Sequence, residues 1–522
     1  MGVQGGSPAG KLLADKIVLS GSLQFNIKTS VHNVDDSFDG TAGGNPNDTS
    51  PADYKLAEVE ITCLNCTLPL NPVIITTTIA PPGLETDTKK GSLFINALNA
   101  SGQPISNASV TVVNNQVIPA IDLNGTTNTS GQFKLVDTAT SSGGYEITVG
   151  KSGYSSDKTH LIGDPLNPNP LKSHATVIED QVTETSFIID QLSSLHFKTR
   201  NYLCNAVPNI DFLQEGTKLI GIDPDTPKYS ESLSTDASGD YANNATEWDT
   251  YDFTNQDGAY DISGISNPGP LIINPAETKA LTWTMKLKNP SALLVVVEDE
   301  NGQLVNDANV TLSKSGFSAS FLSGHSSISF TDWSGNEYDS KSPNIETDNP
   351  AGQITLVDLG GGKYASDSQE FLISETVDFG TQQINPNKIS WLPISQPAQT
   401  GADSLKFQLA ANNDNSVWNF AGPDGTANSY YTSDTNIYSG LAGNRYLRYK
   451  AYLQTADDAY TPSLDYINMD FSSECVGNGQ AFFNGLATGT YTLTIQKTGY
   501  QIFTDTLNIS DNWQQYTAEL IP

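Results

Sequence analysis

The chain has 522 residues, enough for about three or four domains of roughly 150 residues each, and its 37% apolar and 9% aromatic content can fill several packed cores. Lys and Arg number 26 against 58 Asp and Glu, a formal net charge of -32, and only three of the basic residues are Arg. A surface this acidic repels phosphate, which excludes a nucleic-acid-binding stripe and a polybasic membrane patch.

Residues 1–10 have no basic segment followed by an apolar one, so they do not read as a signal peptide. The most apolar runs, 72–80 and 293–297, are too short for a membrane helix, and no membrane insertion is expected of this chain. The abundance of Ser, Thr, Asn and Gly reads as that of an extracellular or cell-surface protein.

Period-two patterning dominates, so the fold class is mainly β. In residues 23–31, Leu23, Phe25, Ile27 and Val31 alternate with Gln24, Asn26, Lys28 and Ser30; residues 55–63 alternate likewise. Residues 11–17 and 186–194 are expected as short helices. Between the first two strands, residues 35–51 form a turn-rich loop. Its Asp35 and Asp39 precede Gly40 with the spacing of a partial calcium loop, although Pro46 stands where the closing Glu would be. Cys63 and Cys66 form a lone CxxC. A zinc ribbon needs a second pair, so the expectation is a local disulfide or else idle thiols. Cys204 and Cys475 are left open between paired and free. The Pro/Thr-rich residues 67–90 read as an extended linker.

An internal repeat follows. The segment Ser92-Leu-Phe-Ile-Asn-Ala to Ala108-Ser-Val-Thr111 recurs 200 residues later as Ala292-Leu-Leu-Val-Val-Val to Ala308-Asn-Val-Thr311, with Gly102 matching Gly302 at the turn. Tyr145-Glu-Ile-Thr-Val-Gly-Lys-Ser-Gly-Tyr154 recurs 346 residues later as Tyr491-Thr-Leu-Thr-Ile-Gln-Lys-Thr-Gly-Tyr500. The unequal offsets favour a last copy split by an inserted domain, since exposed hairpin tips tolerate insertion; the alternative, suggested by the likeness of residues 352–358 to 131–137, is a third copy that closes near Tyr364 and a separate C-terminal unit. A weaker middle copy carries Thr235-Asp-Ala-Ser-Gly-Asp-Tyr241 beside Thr127-Asn-Thr-Ser-Gly-Gln-Phe133. The expected units are a small sheet at 1–66, a linker at 67–90, sandwiches at 91–190 and 191–290, a split sandwich at 291–315 plus 475–522, and an insert at 316–474.

The Ala-x-Val-Thr, Ser-Gly-x-Phe and Gly-Tyr-x-Ile-x-Val-x-Lys-x-Gly-Tyr elements resemble the carboxypeptidase regulatory-like domain, a non-catalytic transthyretin-like β-sandwich of surface proteins. Asp53-Tyr54-Lys55 and the strand after it resemble the sheet of pilin and pseudopilin ectodomains, which implies an N-terminal anchor helix outside this chain. The insert, with Trp391, Trp418, residues 404–409 and residues 445–453, is similar to lectin-like jelly rolls. The fold these resemblances imply is a row of small Ig- or transthyretin-like sandwiches, one jelly roll and a pilin-like sheet. Covalent Lys–Asn crosslinks of the kind some pilus sandwiches carry are a further expectation.

The chain contains no Gly-x-Ser-x-Gly, no His-Glu-x-x-His and no P-loop, and its five His are scattered over different units, so no enzyme is expected. In the insert, Tyr430, Tyr431, Tyr446 and Tyr452 are the candidate ligand-binding aromatics, and Trp418 is assigned to the core. Asp236 and Asp240 belong to a second acidic cluster, a calcium candidate beside Asp35 and Asp39. No cofactor is required. The expected partner is a glycan or a pilus or cell-surface protein. The functional expectation is a non-catalytic adhesion or binding protein; a carbohydrate-binding module protein, a purely structural subunit and a secreted hydrolase are the alternatives.

Overall fold

The computed structural model describes residues 11–37, 40–45, 48, 52–66, 71–80, 90–380 and 384–522. Among these the chain is almost wholly strand, with three single-turn 3-10 segments and no α-helix. Residues 11–17 and 186–194 are not helical. The first enters the strand Asp15–Ser20, and the second is divided between the strands Val182–Ile188 and Ser193–Arg200. In the second, period two prevails: Phe187 and Ile189 are buried and Ile188 between them is exposed.

The N-terminal unit is a four-stranded antiparallel meander, Asp15–Ser20, Leu23–Val34, Tyr54–Cys63 and Val73–Ile79. The stretch 67–90 is therefore not all linker. Its β-branched run Val73–Ile79 supplies the fourth strand, pairing Ile61 with Val73 and Val59 with Ile75. Residues 67–70 and 81–89 lie outside the described residues. This sheet is a single layer: Ile17, Leu19, Val73 and Ile75 are all more than half exposed. Its acidic loop leans on the next unit, where Ala42 and Ala52 pack against Phe94, Val136 and Val182.

Three sandwiches share one topology. In each, the first strand runs between an antiparallel and a parallel neighbour, and the parallel neighbour is the last strand. Lys90–Leu98 lies between Gln132–Ala139 and Val182–Ile188. Ser193–Arg200 lies between Asp240–Thr246 and Thr278–Leu287. Ala292–Asp299 lies between Gln480–Phe483 and Trp513–Leu520. The facing sheets supply matching core pairs: Val110 opposite Val149 and Val112 opposite Ile147 in the first, Val310 opposite Ile495 and Leu312 opposite Leu493 in the third. All eight are fully buried, each stabilising its core by about 1.5–3 kcal/mol.

A buried hydroxyl ties the same corner in all three. Thr127 accepts from the Ala108 amide (2.9 Å) and donates to Ile105 O (2.6 Å). Ser323 accepts from Ala308 N (3.0 Å) and donates to Val305 O (2.6 Å). Thr235 accepts from Ile210 N (3.0 Å) and reaches the carbonyl side through Thr199. Four residues beyond Thr127 and Thr235 stand Gly131 and Gly239, both at positive φ. The counterpart in the third sandwich is Gly479.

The residues between Ser323 and Gly479 form a separate sandwich, with Ser326–Phe330, Tyr466–Ser473, Ile384–Leu392 and Thr435–Asn436 in one sheet. Tyr446–Leu453 is central to the other. The strand Phe317–Leu322, placed in the insert by sequence, pairs with Asn309–Lys314 along its whole length and belongs to the third sandwich.

Candidate functional site

The outer face of the insert is built on Tyr446–Leu453. Its inward residues Leu447, Tyr449, Ala451 and Leu453 are buried, so alternation turns Tyr446, Arg448, Lys450 and Tyr452 outward. The neighbouring strand Leu405–Asn412 adds Lys406 and Gln408, and Glu370–Ile373 adds Phe371. The segment 413–431 folds back over this face, held by Gln408 Nε2 donating to Ala427 O (2.9 Å) and Ser429 O (3.0 Å).

The candidate tyrosines fare differently. Tyr430 stays half-buried on the face, edge-on to Tyr452 at 5.2 Å, with the Lys406 ammonium 4.3 Å from its ring centre. Tyr452 donates to Gln408 Oε1 (2.8 Å), and burial pushes its hydroxyl pKa up to about 12. Tyr446 carries Arg445 over its ring at 5.0 Å. Tyr431 is no surface residue. It bridges to Phe407 through both backbone groups, is fully buried, and accepts the Tyr438 amide at its hydroxyl (2.9 Å). One residue separates a surface tyrosine from a core one because the backbone is extended there.

Trp418, assigned to the core by sequence, lies outside it beneath Arg448, 4.6 Å from the guanidinium. The core is filled by Trp391 against Phe407 (4.6 Å) and by Trp333, whose indole N–H donates to Tyr449 OH (2.6 Å). The Lys450 ammonium lies 4.1 Å from the Phe371 ring, 4.9 Å from Tyr452 and 5.9 Å from Phe420, and burial lowers its pKa. Among the described residues Lys406 and Lys450 form no salt bridge, whereas Arg448 and Arg445 are paired with Asp339 (2.8 Å) and Asp378 (2.7 Å). This face is thus aromatic and locally cationic on an acidic chain, a chemistry suited to stacking and to accepting anionic or hydroxyl groups.

The acidic loop gathers a different set from the one its spacing suggests. Carboxylate oxygens of Asp35, Asp48 and Asp53 lie within 4.8 Å of one another, and one oxygen of each is shielded from solvent. Asp39 lies outside the described residues. Hard oxygen donors clustered this way are the ligand type calcium takes. Asp236 and Asp240 are not such a set. Asp236 folds back on the amides of Ser238 (2.8 Å) and Asp240 (3.0 Å), which holds its carboxyl below the usual range, and Asp240 pairs with Arg200 (2.6 Å). Glu247, from the same sequence cluster, is taken by Lys218 and Lys228.

Both cysteine pairs are bridged. Cys63–Cys66 closes the end of the strand Tyr54–Cys63. Cys204–Cys475 joins the second sandwich to the chain leaving the insert, with Cα atoms 5.3 Å apart. Nothing in the local sequence around either cysteine announces this pairing. The nearest signal is that Tyr202 and Leu203 are apolar in a polar turn; both pack on the insert core, Tyr202 6.3 Å from Phe471.

No family model and no curated protein matches the chain. Among solved structures it is similar to the Bacillus anthracis TIE protein at 11% identity, over 97% of this chain and 73% of that one, with a TM-score of 0.16. It is also similar to a streptococcal ancillary pilin at 10% identity, over 44% and 75%, with a TM-score of 0.19. A third is the minor pilin of Streptococcus agalactiae at 13% identity, over 38% and 95%, with a TM-score of 0.18.

Proposed function

We propose that the chain is a non-catalytic, pilus-associated protein of the cell surface, whose repeated sandwiches act as spacers and whose inserted sandwich presents a binding face. The observation that carries this reading is the repetition itself. One topology, one buried hydroxyl and one glycine recur three times in tandem, and the third copy opens at its turn to hold a further sandwich. A repeated core of this kind supplies length and stiffness, while chemistry is left to whatever is grafted on it. In this reading the sandwiches are carboxypeptidase regulatory-like, the insert is a lectin-like jelly roll, and its partner is a glycan or a surface protein.

Tyr430, Tyr446, Tyr452 and Trp418 would make the contacts, with Lys406 and Lys450 recognising acidic or hydroxyl groups. Calcium would serve as a structural ion at Asp35, Asp48 and Asp53; the shielding of one oxygen on each favours it. Antibody labelling of intact producing cells tests the placement. Label on unbroken cells and on sheared fibres is expected; label seen only after lysis would overturn it.

A further inference from the structure

The bridge between Cys204 and Cys475 spans a sequence separation of 271. Everything between the two cysteines therefore lies inside a covalently closed loop: most of the second sandwich, the first three strands of the third, and the whole insert. Tension applied to the chain on either side of that loop reaches Cys204, crosses the sulfur–sulfur bond and leaves at Cys475. It cannot extend the loop while the bond stands.

We propose that this bridge gives the protein a further function, a tension bypass that keeps the inserted sandwich folded while the chain around it is pulled. The inference rests on the reading of the chain as a surface protein, because such a chain meets tension.

The surroundings of the bridge fit this role. On the entry side the strand Ser193–Arg200 is already extended, and the residues after it place half-buried Tyr202 and Leu203 against the insert core just before Cys204. On the exit side Cys475 is only 6% exposed, and its carbonyl accepts from the Thr284 hydroxyl of the second sandwich. The same seam is stitched twice more. The Gln480 side chain bonds both backbone groups of Ile265, accepting from its N–H (2.8 Å) and donating to its carbonyl (2.7 Å), and the Trp513 indole donates to Ile262 O (2.7 Å). Those contacts align the two sandwiches but break one at a time under load. The bond between the sulfurs does not.

The arrangement also explains why the insert is tolerable in a mechanical element. Spliced into a turn of the third sandwich, it would otherwise lie in series with the strands on either side. The bridge places it in parallel with a single covalent step.

Single-molecule extension of the full chain between handles at its two ends tests the proposal. In the oxidised chain the final length should fall short of that of the reduced chain by about 900 Å, at roughly 3.3 Å per residue of the loop. No step the size of the insert, roughly 150 residues or about 500 Å, should appear before reduction. Adding reductant at constant force should release it. A handle moved to the exposed Ala427, inside the loop, should make the insert unfold even when oxidised. Should C204S/C475S fail to fold, reduction of the native chain under load gives the same comparison.

An insert-sized step in the oxidised chain pulled from its ends, or equal final lengths with and without reductant, would overturn the bypass. A cytoplasmic location would sink the surface reading and leave this result standing, so the two failures are distinguishable.

Discussion

Gly131 and Gly479 occupy equivalent places in two sandwiches. A Cβ added to Gly131 would meet Ala97 O at 2.6 Å, and one added to Gly479 would meet Val297 O at 2.8 Å. Ala97 and Val297 are themselves equivalent, 200 residues apart, whereas the two glycines are 348 apart. The whole insert lies in that difference, and the equivalence locates the splice within a few residues.

These glycines are needed twice over, for positive φ and for the close carbonyl. Gly131→Ala and Gly479→Ala should each cost about 2–4 kcal/mol, the left-handed penalty plus the clash. Gly302→Ala, at φ 72 with open space around it, should cost only about 1 kcal/mol. Denaturant midpoints of the three variants check the order; equal losses would contradict it.

The buried hydroxyls predict a second series. Thr127→Val keeps the shape but leaves the Ala108 amide and the Ile105 carbonyl without that partner, at a cost of about 1–3 kcal/mol. Ser323→Ala should cost a similar amount in the third sandwich. Calorimetry should show each loss in the transition of the sandwich concerned.

Asp470 predicts a pH effect. Burial raises its pKa, partly offset by the Asn468 hydrogen bond, His325 and Lys388, while Asp434 adds to the rise. A carboxyl whose folded pKa lies above its unfolded value stabilises the fold below the unfolded pKa and loses that contribution as pH rises through the folded one. Asp470→Asn should therefore raise the melting midpoint near pH 7. The gap from the native chain should close as pH falls towards 4. A gap that widens on acidification would show the opposite sign.

The acidic loop predicts an ion effect. Millimolar calcium should raise the melting midpoint of the N-terminal unit, and Asp48→Asn should abolish the gain, while magnesium, which demands tighter geometry, should do less. No calcium-dependent change in the native chain would remove the ion from the account.

Much of the strand pattern was legible because alternation is local: Leu23, Phe25 and Ile27 give the strand Leu23–Val34, and the repeats give matching cores. The N-terminal sheet's last strand was hidden by the prolines and threonines around Val73–Ile79. Its β-branched residues were the better guide. The site was less legible. Tyr430 and Tyr431 are neighbours in sequence, and only the pairing of residue 431 with Phe407 shows which one turns inward. Asp35, Asp48 and Asp53 meet through a loop closure that spacing does not encode, and Cys204 finds Cys475 across two domains. The third hydroxyl was hidden in Ser323, because its glycine stands beyond the insert.

The most direct test of the proposed role replaces residues 324–478 with Asn-Thr-Ser, the residues between Thr127 and Gly131 in the first sandwich, changes the then unpartnered Cys204 to Ser, and compares binding to glycan arrays and cell surfaces with that of the full chain. The full chain should bind, and the shortened chain, still folded by circular dichroism, should not. Equal binding by the two, or binding by neither, would contradict the insert's role as the presenting domain.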